Sequence, residues 1–178
     1  MAHIHWNYYL SIEADLIKLS RYIEVHPNNY KSYSIEIARL LMATCAEIDV
    51  LKKQIAAQEN QKEIRDVVIA KYPKLAEFVV SMPRFNLSFV PWEAWKDSNQ
   101  APSWWDAYGK VKHHRHTDFP SASLGNLLNA VAGLFLLCLH FYQEDARNGG
   151  LTPHPELYSV LFNNFYSDTG PIRRKYMF

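Results

Sequence analysis

The stretch 34-SIEIARLLMATCAEIDVLKK-53 decides the fold class, and no Pro, Gly or Asn interrupts the chain from 31 through 59. At about 100° per residue, Ile37, Leu40, Leu41, Thr44, Ile48 and Leu51 form one broad face. Ala38, Met42 and Cys45 widen it. A helix apolar over most of its circumference has neighbours on several sides, so the pattern predicts a central helix over about 31–60. Ser32 or Ser34 would cap it.

Working outward, a first helix is expected over about 6–24, ending before 26-HPNN-29. A third, more polar helix is expected over about 60–80, interrupted near Pro73. Residues 82–103 carry Pro83, Pro91 and Pro102 with Phe85, Phe89, Trp92 and Trp95, which predicts an irregular, aromatic-anchored connection. A helix follows at about 103–116, then a break at 117-TDFP-120 and a long helix over about 121–144. The fold class expected is all-α: an up-and-down bundle of four long helices plus one shorter helix, with a Trp/Pro-rich connection. Residues 1–178 form a single domain in this reading, with a bundle core at about 6–144. The remainder, 145–178, is a packed arm or an oligomer contact.

At 178 residues the chain suits one domain with a proper core. Its formal net charge of +1 leaves no bulk field to draw it onto nucleic acid or an anionic membrane, so such binding needs a local patch. Residues 110–116 are the densest one, and Arg173, Arg174 and Lys175 form another. Cys45 and Cys138 lie in apolar helical segments and read as buried free thiols of a reducing cytosol. No secretory signal pattern is visible at the N-terminus, and a cytoplasmic location is expected. The apolar run 124-LGNLLNAVAGLFLLCLHFY-142 approaches membrane-spanning length, but Asn126, Asn129 and His140 interrupt it, which favours a core helix and no membrane contact.

The segment 104-WWDAYGKVKHHRHTDFP-120 concentrates aromatic and basic side chains. As a helix it places Trp104, Tyr108, Val111 and Arg115 on one side, with Lys112 flanking and Asp106, Lys110 and His113 elsewhere. Arg115 would then project with the aromatics, where its planar fork suits a phosphate or carboxylate. The plainer reading is a charged helix end with its cations near the C-terminal carbonyls. In the central helix, Arg39 can pair with Glu36 three residues earlier. Glu47 has no cation at helical spacing and calls for one from another helix, Lys112 and Arg115 being candidates, unless it faces solvent. Asn126, Asn129, Gly133 and His140 form a narrow polar stripe on the last long helix, suggesting close packing with hydrogen bonds across to a neighbour. A metal site is not expected. Neighbouring His113, His114 and His116 diverge on a helix, no metal-binding His or Cys motif is present, and His3 and His5 fall on a terminus expected to fray.

Trp104, Trp105, Tyr108, Lys112, His113, Arg115, Phe119, Asn126 and Asn129, in that order, together with the 34–53 stretch, resemble a divergent bacterial branch of the HEPN superfamily. The resemblance covers most of residues 6–144. It implies an all-helical bundle that commonly dimerises, and a metal-independent RNase or a catalytically weakened relative in a defence or toxin context. His113 and Arg115 would then be catalytic, with Lys110, Lys112 and Tyr108 on phosphate or nucleic acid. Glu47, Arg39 and Asn129 would support them. The partners implied are a second copy, RNA, and a cognate antitoxin or other protein; no cofactor is implied. The family motif, Arg and then His with four to six residues between them, is not met by His113 and Arg115, which stand in reverse order and only two apart. Its literal match, Arg147, Asn148 and His154, falls in a Gly/Pro-rich run. The alternative is a non-catalytic helical interaction module with a structural or anion-binding cation cluster.

Overall fold

A computed structural model describes residues 2–57, 64–96, 100–160, 163–166 and 173–176. The chain is mostly helical. Four longer helices, α1 (Ile4–Leu19), α2 (Ile35–Ala56), α4 (Ser103–Asp118) and α5 (Leu124–Phe141), are accompanied by the shorter α3 (Ile64–Lys71) and α6 (Gln143–Asn148). The helices start and stop where side chains can satisfy terminal backbone groups. Ser34 caps α2 by accepting from the Ile37 N–H, and Ser123 caps α5 by accepting from the Asn126 N–H. At the end of α1, Ser20 takes the cap position, so the helix stops several residues before the expected 24.

Helix α2 has neighbours on several sides, as expected, but α5 is the more completely buried of the two. Every residue from Ala130 to His140 is buried, whereas α2 keeps Ile35, Arg39, Ala46 and Val50 exposed. Helix α5 packs against α1, α2, α4 and α6, and α2 also touches α1, α3 and α4. By length and composition α5 could cross a membrane, but most of it is buried inside the protein, as a core helix is. It ends at Phe141, where Tyr142 leaves helical geometry before α6 begins, so the expected single helix over 121–144 is shorter and followed by a second.

The all-α expectation needs one correction. The segment expected as a helix over 60–80 is helical only as α3; Pro73 follows Tyr72, whose N–H closes the last turn on Val68. The β-branched and aromatic run that follows forms β1 (Val80–Met82), which pairs antiparallel with β2 (Leu87–Phe89) and with β3 (Ser159–Val160) in the order β2-β1-β3. A second antiparallel pair joins β4 (Asn163–Tyr166) to β5 (Arg173–Tyr176). The arm beyond 145 is therefore partly a strand donor to the aromatic connection. The expected junction between helices at 60 lies outside the described residues.

The Trp/Pro-rich connection packs inward, as expected of it. Trp92, Trp95 and Trp104 are buried, with ring centroids 4.4 Å apart for Trp92 and Trp95 and 5.1 Å for Trp92 and Trp104. The Trp104 indole donates to Pro91 O at 2.8 Å and the Trp92 indole to Gly133 O at 3.1 Å. A side chain at Gly133 would bring its Cβ to 3.2 Å from the Trp104 ring. The small residue in the α5 stripe thus admits an indole. The stripe's amides do not bridge helices: Asn126 donates to Ser121 O and Asn129 to Gly125 O. Both bonds close on α5 or the turn leading into it, because an Asn side chain competes readily for nearby backbone carbonyls.

Candidate functional site

Helix α4 buries Trp104, Ala107, Tyr108 and Val111, so the expected aromatic face holds for its first two turns. It then fails. His114 adopts φ −133° and ψ 39°, outside helical geometry, and every residue from Lys112 to Thr117 is exposed. The kink ends the spacing that would have carried Arg115 inward, and Arg115 is exposed instead of lying with Trp104 and Tyr108. With no apolar side chain between Val111 and Phe119, nothing in this stretch drives burial.

The basic residues on both sides of the kink face α2. An open cleft of about 1030 Å³ is lined by Lys112, His113, Arg115 and His116 on one wall and by Arg39 on the other. Ile35, Ala38, Met42 and Phe119 supply its apolar surface, and among the described residues no carboxylate lines it. Among the described residues neither Lys112 nor Arg115 takes part in an ion pair. Arg39 differs. Its Nε and Nη2 donate to Glu36 at 2.9 and 2.6 Å, and Nη2 also donates to Asp15 at 2.8 Å. These bonds hold the Glu36 carboxyl below the usual carboxylate range; Asp15 is lowered likewise, by Arg39 first and Lys18 second. The Glu36–Arg39 pair matches its expected spacing, with Asp15 of α1 added from across the interface.

The other candidates lie apart from this cleft. Tyr108 is on the buried face of α4, with the Lys112 ammonium 5.4 Å from its ring centroid, and Lys110 is exposed without lining the cleft. Asn129 is engaged with its own helix. Glu47 does obtain a partner from another helix, but that partner is His5 of α1 rather than Lys112 or Arg115: His5 Nδ1 lies 2.5 Å from the Glu47 carboxylate. His5 Nε2 is 3.1 Å from Gln54 Oε1, and a second pair joins His3 to Asp145 at 2.8 Å. The terminus expected to fray is thereby the first turn of α1, with His5 buried beside a separate pocket of about 690 Å³. Arg147 and Asn148 sit exposed on α6, and His154 is half-buried on the following loop, all outside the basic cleft.

Two polar groups escaped the sequence reading. Glu13 is buried, and its carboxylate accepts from Tyr9 OH and from the backbone N–H groups of Glu156, Leu157 and Tyr158. Helical spacing puts Glu13 four residues after Tyr9, on the buried side of α1, and that was the available signal. Lys52 is buried with its ammonium 3.7 Å from the Trp105 ring centroid, and burial pushes its pKa down. Among the described residues, no three His, Cys, Asp or Glu side chains gather as a metal ion would require. No family model matches the chain, and neither a curated protein nor a solved structure does.

Proposed function

We propose that this chain is a HEPN-like RNA-binding domain whose basic cleft cleaves RNA without a metal, or holds it in a catalytically weakened form. One observation carries the reading: Lys112, His113, Arg115 and His116 share a cleft that no carboxylate lines among the described residues, and no carboxylate among them pairs with Lys112 or Arg115. A polyanion gains most where cations are not already neutralised by protein carboxylates. In this reading α1, α2, α4 and α5 are the four long helices of an up-and-down bundle. Two copies associate in the cytoplasm, and a cognate antitoxin or other protein binds the dimer.

The chemistry follows from the side chains present. Lys112 and Arg115 hold the scissile phosphate, and His113 takes the proton of the neighbouring 2′-OH. That oxygen attacks phosphorus, and the bond to the 5′ oxygen breaks. His116 returns a proton to the leaving oxygen, which gives a 2′,3′-cyclic phosphate and a free 5′-OH. Arg115 offsets the charge developing on the phosphoryl oxygens.

A second reading has its own support. Glu47, the carboxylate expected to orient the catalytic cluster, is bonded to His5 in a different pocket. A cleft without an orienting carboxylate suits a non-catalytic anion-binding module. The two readings separate on purified protein incubated with single-stranded RNA in chelator. The nuclease reading expects cleavage that falls by about 10²-fold or more in His113→Ala. RNA that is retained but left intact favours the binding module. RNA neither bound nor cut at high protein concentration removes both.

A further inference from the structure

We infer that Tyr33 is a stacking platform for one unpaired RNA base at the rim of the basic cleft, so that the site takes single-stranded RNA and rejects duplex. The inference rests on the RNA reading of that cleft and adds a specificity residue to it.

Tyr33 is half exposed at 50% although most aromatic rings of the described chain are covered. Its ring meets Phe119 edge to face, with centroids 5.5 Å apart and planes at 79°. Phe119 lines the cleft, and so does Ile35, two residues from Tyr33 and 81% exposed. An edge-to-face contact leaves ring surface uncovered, and here the ring's partner, Phe119, lines the same cleft as the cations that would hold a phosphate backbone.

The platform is also fixed in place. Tyr33 forms a β-bridge with Ser123, Leu124 N–H donates to Ser32 O at 2.8 Å, and Gly125 N–H donates to Tyr30 O at 3.0 Å. Ser34 then caps α2. The segment is stapled to the start of α5 on one side and to α2 on the other, so little freedom remains to be lost when a ligand stacks. A single exposed Tyr is ordinary on a protein surface. A rigid one packed on Phe119 at a cleft that also holds Lys112 and Arg115 is the combination that single-strand binders use, because a π-face accepts any base while cations follow the backbone. In a duplex both faces of each base are already covered by neighbours, so only an unpaired base can reach the ring.

The test measures fluorescence anisotropy with three probes: a single-stranded RNA of about twelve nucleotides, its duplex, and inorganic polyphosphate. Tyr33→Ala is expected to weaken the single strand by about tenfold and to leave polyphosphate within about twofold, while Tyr33→Trp keeps wild-type affinity. Should Tyr33→Ala fail to fold, Tyr33→Leu keeps apolar bulk against Phe119 without a π-face and serves in its place. Loss of single-strand binding in Lys112→Ala/Arg115→Ala, with Tyr33→Ala and Tyr33→Leu unchanged, overturns the stacking role and leaves the cleft reading standing. Duplex bound as tightly as single strand also overturns it. Wild-type protein that binds no probe overturns the cleft reading itself.

Discussion

His140 lies among the rings of Tyr72 and Phe78, at centroid distances of 5.2 and 5.3 Å, and its Nδ1–H donates to Leu136 O at 2.8 Å. Burial, with a smaller contribution from the field of Arg147, pushes its pKa down to about 4. The unfolded chain, with a value near 6.5, binds more protons between those two limits. Stability therefore rises with pH across that window. The contribution of neutral His140 is intact above about pH 6.5 and is lost as the pH falls to 4, amounting to roughly 3 kcal/mol. Urea midpoints of wild type and His140→Leu at pH 7 and pH 4.5 check this: the variant should lose less on acidification, and equal losses would refute it. Other residue-scale features were open to spacing alone. Glu36 and Arg39 pair as the helix requires, and Glu47 needed a cation. That its partner is His5 was not legible, because 42 residues separate the two.

Among the elements, α1 and the C-terminal segment are joined by one carboxylate. Glu13 receives three consecutive backbone N–H groups from 156–158, which thereby reach a partner without belonging to a helix. Glu13→Ala leaves those donors and the Tyr9 hydroxyl unpaired, at a cost of about 2–4 kcal/mol. Hydrogen exchange checks it: amides 156–158 should lose protection while those of α5 retain theirs, and uniform behaviour of both would show that the clamp does not hold the segment. Helix α4 teaches the complementary lesson. Its aromatic face followed from period 3.6 up to Val111, but a kink at His114 redirected every basic residue beyond it. Likewise β1 sits in a run that could be read as helix, and its pairing with β3 joins residues 80 apart, Val80 with Val160.

For the whole molecule the relevant quantity is charge. A formal net charge of +1 makes the long-range field weak, so any salt dependence of RNA binding must come from local phosphate contacts. For single strands each contact contributes a slope of about −0.7 in log affinity against log salt. Removing Lys112 and Arg115 together is thus expected to flatten the slope by about 1.4. Titrations from about 50 to 200 mM salt measure this. An unchanged slope would place the phosphates elsewhere on the protein.

The sequence by itself determined the predominance of helix, the inward packing of the tryptophans and the concentration of cations at 110–116. Each of these follows from local periodicity or composition, which one segment carries without help from another. Tertiary structure decided the rest. It buried α5 more completely than α2 and drew strands from 80–89 and from the arm into one sheet. It gave Glu47 to His5 and set Arg39 opposite Lys112 and Arg115 across a cleft. Those outcomes depend on which helix faces which, and that choice is made by packing apolar surfaces from distant segments together, a property that no single stretch encodes.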